Sequence, residues 1–142
     1  MIGFKPLVSN EEWEWMRERT HAIGCADTQG IMAYEGMKIL AGAVFDNWTD
    51  DSCQMHIAID NPKVLTNNFF QEVCRHVFTV CGRTRIFGLV PSNNKRCSAL
   101  WKDAGMVEVA VVPHGIGTGI DCIIVCLEKE DCKWLELEEE AA

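Results

Sequence analysis

Two hydrophobic periods alternate along the chain, and each change of period marks a predicted element. "NEEWEWMRERTHAIG" opens on a capping asparagine and acids, carries its basic residues late and ends on glycine. It predicts a helix over about 11–23. "QGIMAYEGMKILAGAVFDNW" reads as two strands about a tight Glu-Gly turn. In "SCQMHIAID" the alternation puts Met55, Ile57 and Ile59 on one face and Gln54, His56, Ala58 and Asp60 on the other, and Pro62 ends the strand. "LTNNFFQEVCRHVFTVCG" repeats Phe69, Val73, Val77 and Val80 at helical spacing. Asn68 with Gln71 resembles a capping box there, and Gly82 is the stop. "TRIFGLV" predicts a buried strand, 94–104 a short helix, and "MVEVAVV" with "DCIIVCLE" a hairpin across "PHGIGTGI".

The order is β-α-β-β-β-α-β-α-β-β, with meander strands first and β-α-β crossovers second. This predicts an α/β (α+β) fold: a mixed, mostly antiparallel sheet of about six or seven strands flanked by helices. One domain over residues 1–135 is expected, then an acidic tail over 136–142. A chain of 142 residues is long enough to bury a core without staples.

Composition changes the picture in three places. The opening "MIGFKPLVSNEEW" has no basic stretch followed by an apolar one, and no apolar run reaches membrane length. No signal peptide and no membrane partner are therefore expected, and the location expected is cytoplasmic. Eight cysteines show no CxxC pair and no zinc spacing, so free thiols and no metal are expected. The net charge of −8 speaks against nucleic acid as a partner. Its distribution says more: residues 61–102 hold seven basic side chains against Glu72 alone, a local +6 that leaves −14 for the remainder. A continuous basic segment in an acidic chain points to an anion site, with a solvated basic face as the plain alternative.

That basic segment contains Asn94-x-x-Cys97-x-x-Leu100-Trp101-x-x-x-Gly105-Met106. The pattern resembles a motif of the GNAT superfamily of N-acetyltransferases, and the element order resembles that fold over nearly the whole chain. The ending "EDCKWL" is similar to acetyltransferases encoded by phages and prophages. The resemblance implies an acyl-coenzyme A-dependent N-acyltransferase, with acetyl-coenzyme A as co-substrate and an amine or protein lysine as acceptor. It implies a cofactor path along Ile57, Ala58 and Ile59, and a pyrophosphate at the helix start in "PKVLTNNFF", served by Lys63, Thr66, Asn67 and Asn68. Asn94 would bond the pantetheine arm, and Lys95 or Arg96 would reach the adenosine phosphates. A homodimer is a further possibility.

Two departures from the family pattern matter. The phosphate loop has no glycine. Trp101 stands where many members carry a tyrosine that protonates the departing thiolate, and indole is no acid in this range. They support an alternative: a scaffold without catalysis, acting as a virion component or as an inhibitor of a host protein.

Acyl transfer to an amine needs a base. His56 is the first candidate, because an imidazole exchanges protons near neutral pH, and Asp60 is the second, acting directly or through water. A strand histidine is also commonly structural. His114 and Asp121 border the hairpin, where a turn role competes with acceptor contact. Trp13 and Trp15 differ in face, and Trp48, in the polar turn "DNWTDD", is a candidate partner surface.

Overall fold

The structure is a computed structural model and describes residues 1–20 and 22–135; the expected acidic tail over 136–142 lies outside the described residues. Seven strands form one sheet: β1 (Ile2–Pro6), β2 (Gln29–Glu35), β3 (Lys38–Asp46), β4 (Ser52–Ile59), β5 (Arg85–Pro91), β6 (Val107–Gly117) and β7 (Ile120–Glu128). Their spatial order is β1-β2-β3-β4-β5-β7-β6, and only the β4–β5 pair is parallel. The sheet is thus two antiparallel halves joined at one parallel seam. Helix α1 (Asn10–Arg19) lies on one face; α2 (Phe69–Cys74) and α3 (Lys95–Asp103) lie on the other.

Alternation along the strands sorts the core into two layers. Ile31, Ala33, Phe45, Cys53, Ile86 and Val125 face α2 and α3. Met32, Val44 and Ala58 face α1, with Met16 between them and Trp13 and Trp15 packed at the margin. Helix α1 can approach so closely because Gly42 has no side chain: a Cβ there would stand 2.5 Å from Met16 Sδ.

Helix α1 is shorter than its sequence predicts and starts one residue earlier. Ser9, not Asn10, is the cap: its Oγ accepts from the Glu12 amide at 3.2 Å, while Glu12 Oε1 accepts from the Ser9 amide at 3.0 Å. The Thr20 amide and hydroxyl both bond the Met16 carbonyl and close the other end. Glu12 is 1% exposed and also accepts from Lys5 Nζ and the Tyr34 hydroxyl, which ties α1 to β1 and β2.

The single helix expected over residues 65–81 is three pieces. A 3-10 turn covers Pro62–Thr66, α2 follows, and a wide π turn covers Arg75–Val80, closed by Cys81 N–H on the His76 carbonyl at 2.9 Å. Asn68 forms no capping box; it sits in the left-handed region at φ 72° and lets the chain reverse between the pieces. The π turn advances the buried face by a residue. Phe78 therefore joins Val77 inside, beside Phe69, Phe70, Val73 and Cys74 of α2, whereas Val80, expected in the core, is 61% exposed.

Trp48 is also corrected. It is half-buried rather than exposed, packing on the core beside Phe45 with Arg83 over its ring. Cys25, Cys53, Cys81, Cys97, Cys122 and Cys126 carry free thiols.

Candidate active site

The parallel seam is short. Strands β4 and β5 pair only over Ser52–Gln54 and Arg85–Phe87. Beyond that, β5 stays with β7 as far as Pro91, whereas β4 stays with β3. Two strands held by different neighbours must diverge, and from Met55 and Gly88 onward they do. The gap opens as two adjoining cavities of about 250 and 400 Å³, which share Arg19, Ile57, Asn94, Cys97 and Leu100.

His56 lines the smaller cavity. Its Nε2 lies 2.9 and 3.1 Å from the two carboxylate oxygens of Asp46, which is 8% exposed. The ladder explains the meeting. Val44 pairs with His56 and Asp46 with Gln54, so Asp46 and His56 are diagonal neighbours on one face of the sheet. With the Nε2 proton donated to Asp46, Nδ1 is left as an acceptor.

Asp60 lines the larger cavity and is committed to Arg19 at the end of α1. Arg19 Nε donates to Oδ1 at 2.9 Å and Nη2 to Oδ2 at 2.8 Å. The guanidinium also lies 3.9 Å from the ring centroid of Trp15 and donates to its carbonyl. The hydrogen bond from Arg19 holds the Asp60 carboxyl below its ordinary range against the effect of burial, and the charges of Arg19, Arg96 and Lys38 add to this. A carboxylate so held is a weak base at neutral pH.

The expected cofactor residues divide. Ile57, Ala58, Ile59, Asn94 and Arg96 line the larger cavity, whose far wall is Leu65, Cys97 and Leu100. Asn94 caps α3, its Oδ1 accepting from the Cys97 amide at 2.9 Å. Lys95 is exposed and lines neither cavity.

Lys63, Thr66, Asn67 and Asn68 line neither cavity either, and the expected pyrophosphate loop is otherwise engaged. Lys63 Nζ pairs with Glu35 at the β2–β3 turn, while the Thr66 hydroxyl and the Asn67 side chain both donate to the Lys63 carbonyl. Five amides ahead of α2 are occupied too: Asp60 and Asn61 donate to the Leu40 carbonyl, Lys63 to the Asn61 side chain, Val64 to the Asn61 carbonyl and Asn67 to the Val64 carbonyl. Pro62 has no N–H to give.

Trp101 lines the smaller cavity, and its indole N–H is buried without a partner among the described residues. His114 lies outside both cavities in a kink of β6 at φ 55°, its amide donating to Asp121 and its Nδ1 accepting from the Gly119 amide. Among the described residues, no group of three or more His, Cys, Asp and Glu is placed to hold a metal ion, and no helix is long and apolar enough to cross a membrane.

No family model and no curated protein sequence matches the chain. Solved structures do. The spermidine/spermine N-acetyltransferase SpeG from Vibrio cholerae superposes with a TM-score of 0.74 at 12% identity, over 95% of each chain. A protein from Desulfovibrio desulfuricans assigned to the GNAT family of acetyltransferases gives 0.71 at 16% identity, over 90% of this chain and 99% of that one. Campylobacter jejuni N-acetyltransferase PseH, solved with acetyl coenzyme A, gives 0.64 at 13% identity, over 91% and 99%. The chain therefore has the GNAT fold, a seven-stranded mixed sheet flanked by helices in one domain.

Proposed function

We propose that the protein is an N-acyltransferase that takes its acyl group from acyl-coenzyme A. The observation that carries the reading is the cleft in the β4–β5 seam. It joins a cavity bordered by Arg96 and Asn94 to one lined by His56, whose ring Asp46 holds. In this reading the phosphates sit at the Arg96 end, and the pantetheine arm runs along Ile57–Ile59. The acceptor nitrogen then meets the thioester carbonyl beside His56.

The step balances with these groups. His56 Nδ1 takes a proton from the acceptor ammonium, and the freed lone pair attacks the carbonyl carbon. The C–N bond forms, the C–S bond breaks, and the nitrogen loses its remaining surplus proton to solvent. Asp46 holds the ring and stabilises the imidazolium. Coenzyme A leaves as thiolate. A thiolate is a far better leaving group than an alkoxide or an amide anion and can depart without a strong acid, so indole at Trp101 does not forbid the reaction. His56 is the base rather than Asp60, whose carboxylate is spent on Arg19.

The second reading is a binding scaffold without catalysis, and the occupied amides of Asp60, Asn61, Lys63, Val64 and Asn67 favour it. Calorimetry with acetyl-coenzyme A, followed by thiol release in a panel of primary amines, separates the two. Acyltransfer requires binding, and His56→Ala should lower turnover by roughly 10²-fold. Absence of binding at millimolar ligand establishes the scaffold; near-normal turnover in folded His56→Ala removes His56 from the chemistry.

A further inference from the structure

The smaller cavity passes through the sheet, and its two ends differ in chemistry. On the α1 side it is lined by Arg19, Thr20, Gln54 and His56. On the other side it ends among Phe70, Val90, Leu100, Trp101, Ala104 and Met106, all members or neighbours of the core layer under α2 and α3. No charged side chain belongs to that inner end. Two positions keep it open. Gly88 is buried on β5, where a Cβ would stand 3.1 Å from Val125 Cγ2, and Ala104 closes α3 with a single methyl.

The two ends together enclose about 250 Å³. An apolar cavity of about 150 Å³ is enough to hold benzene, with its six carbons. The methyl of an acetyl group would leave most of that volume empty. An ammonium acceptor avoids an apolar dead end, because burying an unpaired charge is costly, whereas a hydrocarbon tail gains by entering one.

We propose that the inner end is an acyl chamber, and that the donor is a coenzyme A thioester whose hydrocarbon chain is longer than acetyl, on the order of six carbons by the comparison with benzene. This rests on the acyltransferase reading. The carbonyl sits at the seam, the tail enters between Phe70, Trp101 and Met106, and the acceptor approaches from the His56 side. Gly88 and Ala104 set the length accepted.

The test is calorimetry on the intact protein with coenzyme A and its acetyl, butyryl and hexanoyl thioesters. Each fully buried methylene is worth about fourfold in affinity. Burial of half of the four added between acetyl and hexanoyl makes hexanoyl-coenzyme A at least about tenfold tighter. Ala104→Leu should bring the hexanoyl-to-acetyl ratio down to about one, because leucine fills the chamber; Met106→Phe tests the same wall if the first variant fails to fold. Hexanoyl binding no tighter than acetyl overturns the chamber and leaves the acyltransferase reading in place. A chain-length gain that persists in a folded Ala104→Leu or Met106→Phe protein also overturns it. Binding of none of the four ligands overturns both.

Discussion

Replacing Glu12 by glutamine tests how α1 is fixed to the sheet that carries the site. The carboxylate is 1% exposed. Burial pushes its pKa up, but hydrogen bonds from Lys5, the Ser9 and Val8 amides and the Tyr34 hydroxyl outweigh that and hold it at about 2, against an ordinary 4.5. That gap corresponds to roughly 3 kcal/mol of folding stability at neutral pH. The folded value is the lower one, so protonation favours the unfolded chain. The contribution is complete above about pH 4.5 and is lost as pH falls toward about 2. Glutamine keeps a carbonyl for the two amides but turns an NH2 toward Lys5 and Tyr34, which are themselves donors. Urea denaturation at pH 7 should show the variant less stable by roughly 2–3 kcal/mol. As the pH falls to about 2 and below the two proteins should converge, because both then carry a neutral group at this position. A loss under about 0.5 kcal/mol at pH 7, or curves that stay parallel down to pH 2, would refute the account of Glu12 as a buried, charged tie.

Two further perturbations separate fold from site. Gly42→Ala places a methyl 2.5 Å from Met16 Sδ and 2.9 Å from Met32 Sδ, so thermal melts should show a loss of roughly 1–3 kcal/mol by overpacking; an unchanged midpoint means that α1 does not press on β3 there. Arg96→Glu should weaken coenzyme A binding, with a deficit that shrinks at high salt, whereas Lys63→Glu should leave the affinity near wild type; the reverse order would return the phosphates to the loop after β4.

The fold was legible because its signals are local. Met55, Ile57 and Ile59 alternate with Gln54, His56 and Ala58, and the strand they predict has those two faces, one toward α2 and α3 and one toward α1. The Glu35–Gly36 turn and the stop at Gly82 are likewise written in residue type, since both glycines sit at positive φ. The interruption of the second helix was not legible. Phe69, Val73 and Val77 fit a 3.6 period perfectly well, and only packing against the sheet shows that the turns widen after Cys74 and bring Phe78 inward. Arg19 was missed for a similar reason. Nothing local marks it off from the solvated arginine at Arg17; its partner Asp60 is 41 residues away and meets it only when α1 lies across β4.

Asp46 is the more instructive omission, because its signal was present. A hairpin whose loop is "DNWTDD" places residues 46 and 54 opposite one another, which makes 46 and 56 diagonal neighbours. Counting register across the turn would have paired His56 with its carboxylate. The loop after β4 was suggested by resemblance, and its side chains have other partners in the structure. Asn61, Thr66 and Asn67 are the kinds of side chain that serve a phosphate, but the same donors and acceptors cap short turns, and here the short turns claim them. Backbone amides recognise a phosphate by shape and partial charge, whereas an exposed arginine recognises it by full charge, which dissolved ions screen. If this cleft takes coenzyme A, it does so through Arg96 and the basic segment around it, and its affinity should depend on salt more steeply than that of a fold relative with an open amide loop.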